Sequence, residues 1–408
     1  MRIAILDGLR IPFQPSGGMY RRSMPYDLVN ACFTGILNRN TPLVDKIDDV
    51  SVGTVMQDVK TTNIARECGI NQKISPTVPM QTITQACISS SRALCSSAES
   101  TLTQNSNLAL VGGVETFSDL PIRYSKKMRQ FMISLPKMMK QGPKTVMSES
   151  LKINISDLKP ELPSISNFTT GELMGETSEK IAKRFSISRL DQDEFTLLSH
   201  KNASDAHKKG LYENEILKYN GETFENNIRS DLTIEKLQKL KPSFVKEGTH
   251  TAGNSSGLTD GATACLISSE SLAKSLNIKP LGILKSWVFT GTDPFEEMLL
   301  GPAYAIPKLL AKNNLKMEDI DVFEIHEAFA GQLLANLRAL EVNGHGKVPL
   351  EKLNKWGGSL AIGHPLGATN IRNVTTACNR LREEGGKYAL VSACADGGLA
   401  NAILIESV

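Results

Sequence analysis

Ile47-Asp48-Asp49-Val50-Ser51-Val52-Gly53-Thr54-Val55 reads as a short strand; a turn at Cys87 then opens a helix of small residues, and Leu108-Ala109-Leu110-Val111-Gly112-Gly113 supplies the next strand. The same order of parts returns late in the chain. Ile320-Asp321-Val322-Phe323-Glu324-Ile325 is a strand, a glycine-rich turn at His364 opens a second helix, and Tyr388-Ala389-Leu390-Val391-Ser392-Ala393 follows. The interval from Val50 to Cys87 is close to that from Val322 to His364, as a duplicated β/α unit requires. Within each unit short β-branched runs alternate with helical stretches, Ser89 to Thr103 and Thr369 to Glu384. That pattern predicts an α/β fold whose sheets are covered on both faces. Reactive groups then belong at strand ends and helix starts.

Between the halves, from about Pro121 to Lys246, lies a region rich in Lys, Met and Ser, with one long helical signal from Ser178 to Lys209. It reads as an insertion. Met128, Phe131, Met132 and Leu135 fall at helical spacing among Lys126, Lys127, Arg129, Lys137 and Lys140, until Pro136 interrupts the pattern. A basic amphipathic segment of this kind docks on a membrane surface or a partner, or else covers the core as a lid with a solvated face.

A chain of 408 residues exceeds one ordinary core, and its 40% hydrophobic residues suffice to bury two or three structural units. The 46 basic and 43 acidic residues leave a net charge of only +3, which gives no reason to expect a nucleic-acid surface. Seven cysteines, an odd number without a C-x-x-C pair, point to reduced thiols and a reducing compartment. No run approaches the roughly 18 apolar residues of a membrane span. The opening Met1-Arg2-Ile3-Ala4-Ile5-Leu6 carries neither a secretory nor a transit signature, so a cytoplasmic setting is expected, with a processed mitochondrial form as the alternative.

Four elements carry chemistry. Cys87 lies in Thr84-Gln85-Ala86-Cys87-Ile88-Ser89-Ser90-Ser91, where a helix start would favour the thiolate; alone, such a cysteine also reads as a small buried apolar residue. His364 is held in Gly357-Gly358-Ser359-Leu360-Ala361-Ile362-Gly363-His364-Pro365-Leu366-Gly367-Ala368-Thr369, a turn that lets backbone approach a ligand closely and suits a general base. His326-Glu327-Ala328-Phe329-Ala330 ends an apolar strand with a histidine and an acid. Cys394-Ala395-Asp396-Gly397-Gly398 places a second thiol at another strand end. These cysteines and histidines are too scattered for zinc-finger spacing, and no metal is expected.

In this order the four elements resemble the thiolase family, whose motifs are a nucleophilic Cys-x-Ser, an Asn- or His-Glu-Ala-Phe, a Gly-His-Pro and a late cysteine before glycines. The resemblance extends to Asp7-Gly8-Leu9-Arg10-Ile11-Pro12-Phe13, Met174-Gly175-Glu176-Thr177 and Asn254-Ser255-Ser256-Gly257-Leu258-Thr259-Asp260-Gly261-Ala262. His326, Leu300-Gly301-Pro302-Ala303-Tyr304-Ala305 and Lys355-Trp356-Gly357-Gly358 are similar to the thiolase subunit of fatty-acid β-oxidation complexes.

The resemblance implies a thiolase fold: duplicated βα halves in αβαβα layers with an inserted loop domain. Residues 1–120, completed by 247–272, would form the N-terminal half, 121–246 the loop domain and 273–408 the C-terminal half. It implies 3-ketoacyl-CoA thiolase activity without a resident cofactor, coenzyme A being a substrate. Cys87 would be the nucleophile, His364 its base and Cys394 the second acid/base; charge on the thioester oxygen would be met by His364 and by a donor or water held by His326, and charge on the other oxygen by the backbone N–H groups of Cys87 and Asp396. Met174, Ser256 and Phe329 match positions that contact CoA or line the acyl pocket. A dimer at least is implied, with a hydratase/dehydrogenase subunit as a further partner and membrane contact through 121–163.

Asp396 stands where the family carries a small residue, Asn370 where glycine is usual, Ala400-Asn401 in place of a Gly-containing pair, and Gln85 where a basic residue is frequent. These departures put rate and substrate preference in question. Acetoacetyl-CoA thiolase is the enzymatic rival, differing in pocket size. A CoA- or lipid-binding relative with little turnover is the rival of another class; a reactive Cys87, protected by acyl-CoA, would separate it from an enzyme.

Overall fold

The computed structural model describes residues 2–164 and 166–408. In the first half, β1 (Ile3–Arg10), α1 (Pro25–Arg39), β2 (Asp49–Gly53), β3 (Met80–Ile83), α2 (Ser89–Leu102) and β4 (Leu108–Glu115) follow in order, and β5 (Thr259–Ser269) returns after a long insertion. The second half runs β6 (Gly282–Gly291), α3 (Pro302–Lys312), β7 (Val322–Ile325), α4 (Ala330–Val342), α5 (Thr369–Glu384), β8 (Tyr388–Ala395) and β9 (Leu399–Glu406). Pairing repeats as well. β2 lies parallel to β4, which pairs antiparallel with β5 and then β1; β7 lies parallel to β8, which pairs antiparallel with β9 and then β6. The duplication expected from Val50 and Val322 is therefore a duplication of topology. Where β8 turns into β9 through Asp396-Gly397-Gly398, the first half instead spends residues 116–258 between β4 and β5.

Among the described residues, the two sets of strands meet only where Ile3, Ala4 and Ile5 of β1 pair with Leu284, Ile283 and Gly282 of β6. Layering follows from side-chain alternation, since successive residues of a strand face opposite sides. On one side of the first set, Leu28, Val29, Phe33 and Ile36 of α1 bury against Leu108, Leu110, Ala264 and Leu266. On the outer side of the second, Ile306 and Leu309 of α3 and Leu333 of α4 pack on Ala400, Ala402 and Leu404. The remaining faces share a third core, in which Leu94 and Ala98 of α2 and Val374 and Cys378 of α5 contact Val111, Ile267, Val391 and Ile403. Helix, sheet, paired helices, sheet and helix give the αβαβα order. Because α2 and α5 are enclosed on both sides, their starts at Cys87 and His364 are brought to one place.

Within the insertion, Leu120–Ile165 forms a compact unit of its own. Arg123–Tyr124 pairs with Pro160–Glu161, and a helix over Lys126–Gln141 is capped by Ser125, whose Oγ accepts from Met128 N at 3.2 Å. Pro136 does not end this helix, contrary to its sequence reading. Ile133, Leu151 and Ile155 are 79%, 77% and 88% exposed, so the unit carries apolar side chains in water. The long helical signal from Ser178 to Lys209 resolves into two helices, Met174–Arg184 and Arg189–Lys208. They part at Ser186, whose φ of 56° a continuous helix cannot hold. Among the described residues no helix is long and apolar enough to cross a membrane.

Charge is also buried in the framework. Arg10 lies between Glu215 and Glu225, and Glu324 of β7 meets Arg380 at 2.7 Å and Arg372 at 3.6 Å, all essentially inaccessible to water. Removing one partner strands the others in a medium that cannot solvate them. Glu324→Ala is therefore expected to cost about 3–5 kcal/mol of stability. A urea-denaturation midpoint equal to that of the parent would refute this.

Candidate active site

Cys87 is half-buried at the entrance to α2, after Ala86, which takes a φ of 45°. Local bonds hold the turn: Gln85 N donates to Ser89 Oγ at 2.8 Å, and that hydroxyl donates to Ala86 O at 2.7 Å. Burial pushes the Cys87 thiol up to about 12; the Asp396 N–H donated to its sulfur opposes this, and the Asp396 and Glu115 carboxylates add to it. A helix terminus contributes about 0.3–1 kcal/mol, less than the roughly 1.4 kcal/mol of one pKa unit. Desolvation wins, and the thiolate expected from the helix start is not the resting form.

His364 follows Gly363, whose φ of 104° admits a residue without Cβ far more readily than any other. Its Nδ1 lies 2.7 Å from Thr369 Oγ1 in the first turn of α5. That hydroxyl donates its own proton to Pro365 O at 3.0 Å. It therefore accepts from Nδ1–H, which leaves the Nε2 lone pair free. Nε2 is buried without a hydrogen-bond partner. Burial, helped by Arg372, pushes the imidazole down to about 3, so the ring is neutral.

The His326 ring lies 4.0 Å from that of His364, centroid to centroid. Its backbone N–H donates to Ser392 O at 2.9 Å, tying the end of β7 to β8, and its Nδ1 lies 3.0 Å from Ser359 Oγ. His326 Nε2 is likewise buried without a partner, and burial, with His364 and Arg372, holds this ring well below the ordinary range. The neighbouring Glu327 accepts from Ser199 Oγ, Asn354 Nδ2 and Leu360 N at 2.7, 2.6 and 3.2 Å. A Cβ on Gly358 would run into its carboxyl group. Cys394, at the end of β8, is fully enclosed; burial first, then Cys87, raises its thiol well above the usual range. The two thiols are thus within electrostatic reach of each other.

Three further groups brace the site. Glu115 accepts from Val55 N and Met56 N at 3.0 Å each and from Gly367 N at 3.2 Å. The Asp396 carboxylate accepts from Asn167 Nδ2 at 2.7 Å. Asn370 donates to the Cys87 carbonyl at 2.6 Å. Thr369 and Arg372 were not singled out by sequence as parts of a site, and Asn370 was marked only as a departure from the family pattern, although the first helical turn after a candidate histidine is a place to look.

Met174 and Phe329 share an apolar cluster with Cys394, in which Phe329 packs edge-on against Phe244 and His250. Ser256 donates its N–H to Ala328 O at 2.9 Å. Beside it opens a cleft of about 460 Å³ lined by Arg229, Lys236, Leu237, Gly253, Ser255 and Leu360. Its two cations lie in the insertion, where no motif marked them. Among the described residues no group of three His, Cys, Asp or Glu side chains is placed to hold a metal ion.

Comparison with known proteins agrees with this arrangement. Residues 3–271 match the thiolase N-terminal domain and residues 278–407 the thiolase C-terminal domain. The human protein named trifunctional enzyme subunit beta, mitochondrial, is 43% identical over 99% of this chain and 88% of its own length. A probable 3-ketoacyl-CoA thiolase of Caenorhabditis elegans is 41% identical over 99% of this chain and 94% of its own. The crystal structure of human mitochondrial 3-ketoacyl-CoA thiolase in complex with CoA superposes with a TM-score of 0.88 at 29% identity, covering 100% of this chain and 98% of that one. With both domains matched end to end, this chain belongs to the thiolase family.

Proposed function

We propose that the chain is a 3-ketoacyl-CoA thiolase, an acetyl-CoA C-acyltransferase that cleaves 3-oxoacyl-CoA with CoA in fatty-acid β-oxidation. The observation that carries this reading is the bare, neutral His364 Nε2 in an enclosed site that also holds two thiols. In the proposed mechanism Cys87 Sγ attacks the 3-oxo carbonyl while its proton passes to His364 Nε2. Proton transfer accompanies attack, since neither group is charged at rest. The C2–C3 bond then breaks, its electron pair forms the enolate of acetyl-CoA, and Cys394 gives that carbon a proton. Thiolate Cys394 next deprotonates incoming CoA, whose sulfur displaces Cys87 from the acyl group, and His364 returns the first proton.

Oxyanion roles follow from donors that already converge. The backbone N–H groups of Cys87 and Asp396 both favour the Cys87 thiolate, beside which the attacked carbonyl oxygen would lie. Ser359 accepts from Arg372 at 3.4 Å and keeps a proton for His326 Nδ1, which leaves His326 Nε2–H to face the thioester oxygen. Met174 and Phe329 would line the acyl pocket and Ser256 would contact the pantetheine, with Arg229 and Lys236 toward the CoA phosphates.

Residues 1–120 with 247–272, 121–246 and 273–408 are proposed as N-terminal half, loop domain and C-terminal half. A homodimer or larger assembly with a hydratase/dehydrogenase subunit is the proposed quaternary setting, supported by the relative named trifunctional enzyme subunit beta. The exposed Ile133, Leu151 and Ile155, among lysines, support peripheral membrane contact through 121–163. A reducing compartment fits the seven free thiols; the cytoplasm is proposed from the sequence, and a processed mitochondrial form is the alternative that the relatives' names support.

One observation favours a second reading. The Asp396 carboxylate raises the Cys87 pKa and would oppose oxyanion charge, as expected of a CoA-binding module with slow turnover. Cleavage of 3-oxoacyl-CoA substrates of short, medium and long chain decides between them. CoA-dependent turnover that falls at least about a thousandfold in Cys87→Ala supports the thiolase. Preference for the shortest chain would identify an acetoacetyl-CoA thiolase, and no turnover on any chain would leave the binding module.

The resting protonation states make a second prediction. A thiol near 12 is increasingly ionised as pH rises, so the rate of Cys87 alkylation by iodoacetamide should climb about tenfold per pH unit from 7 to 9 without a plateau. Asp396→Ala should raise that rate at every pH. A plateau at neutral pH would instead reveal a preformed thiolate–imidazolium pair.

A further inference from the structure

We propose that Asn370 is a positioning residue for the nucleophile, fixing the Cys87 backbone to the helix that also holds the His364 base; this rests on the thiolase mechanism above. Asn370 is fully buried in the first turn of α5. Its Nδ2 donates to the Cys87 carbonyl at 2.6 Å. An acceptor at that distance requires the NH₂ end of the amide to face it, so the side-chain orientation is determined. The amide's other end, Oδ1, has no hydrogen-bond partner.

Among the described residues, the Cys87 carbonyl is the one in its turn without a local backbone donor. Carbonyls of Gln85, Ala86 and Ile88 accept from Ile88 N, Ser89 N and Arg92 N, all within the same local segment. Among the described residues, the hydrogen bond to Cys87 O comes from the opposite half of the molecule. The turn it secures includes Ala86 at a φ of 45°, a conformation that persists in a non-glycine residue only when its surroundings over-determine it. Ser89 fixes one side of the turn and Asn370 the other.

Position in the sequence adds the functional consequence. Thr369, which holds His364 Nδ1, and Asn370, which holds Cys87 O, are consecutive. One helical turn therefore sets both the base and the nucleophile, and their mutual geometry is maintained by a shared backbone. Without the amide, the buried carbonyl must find another donor, and the turn must shift to reach it. Acyl transfer is sensitive to such shifts, since misplacement by about 1 Å costs on the order of a hundredfold in rate.

The test compares Asn370→Asp, which keeps the shape and loses the donor, with Asn373→Ser, one turn further along α5, as the helix control. Thiolysis, iodoacetamide alkylation of Cys87 and thermal midpoint are measured on each. Asn370→Asp should lower kcat by about ten- to a hundredfold with KM for CoA nearly unchanged, and should slow alkylation. Asn373→Ser should leave both rates at the parent values. Asn370→Ser, which adds no charge, gives the same pattern should the aspartate variant fail to fold. Parental kcat and alkylation in the Asn370 variants would overturn the proposal, as would equal losses in Asn373→Ser. Absence of thiolysis in the parent would remove the proposed function, while the alkylation rates would still decide the role of Asn370.

Discussion

Glu115 closes β4 with a fully buried carboxylate whose acceptors are spent on backbone N–H groups from both halves, Val55 and Met56 on one side and Gly367 on the other. Burial raises this carboxyl to about 7, against the lowering effect of those donors. Free N–H groups at chain reversals have to be satisfied wherever water is excluded, and here one side chain does so for reversals in both halves, beside the candidate site. The Gly367 turn lies just beyond His364, and the 54–56 segment leaves β2 beside the start of α2. The junction of two topologically equivalent units and the placement of their reactive residues thus depend on the same contact.

Enclosure is the second constraint. Stacking α2 against α5 between two sheets encloses His364, His326 and Cys394 and half-buries Cys87, and desolvation penalises the charged form of each. Two thiols move up and two imidazoles move down, so the resting site is a set of neutral donors and acceptors. Such a site stores its proton-transfer capacity in hydrogen-bond geometry instead of ion pairs. The Nδ1–H of His364, committed to Thr369, is the clearest case, since it fixes which nitrogen is left without a partner.

Two of the chain's departures from the family pattern have a local consequence in the framework. Asn370 reaches the Cys87 carbonyl where a glycine would leave it open. The Asp396 side chain is engaged by Asn167 while its backbone N–H remains directed at sulfur. Asn401, by contrast, is buried in β9 with neither end of its amide partnered, and nothing in its surroundings explains that choice.

Sequence by itself determined the duplicated order of strands and helices, because β-branched runs and small-residue helix starts are local signals, and it marked Cys87, His326, His364 and Cys394 through glycine-rich turns and strand ends. It misjudged Pro136, whose missing N–H would have bonded the carbonyl of the half-exposed Met132, where water can serve instead. It also ran two helices into one, since the left-handed Ser186 is not a residue type that announces a break. Only the tertiary structure decided how the four reactive groups are protonated and which nitrogen of His364 is free, because these depend on desolvation and on partners far away in the chain. The contact between Asn370 and Cys87 is of the same kind: an amide and a carbonyl 283 positions apart become neighbours only when the starts of two helices are packed together between the sheets.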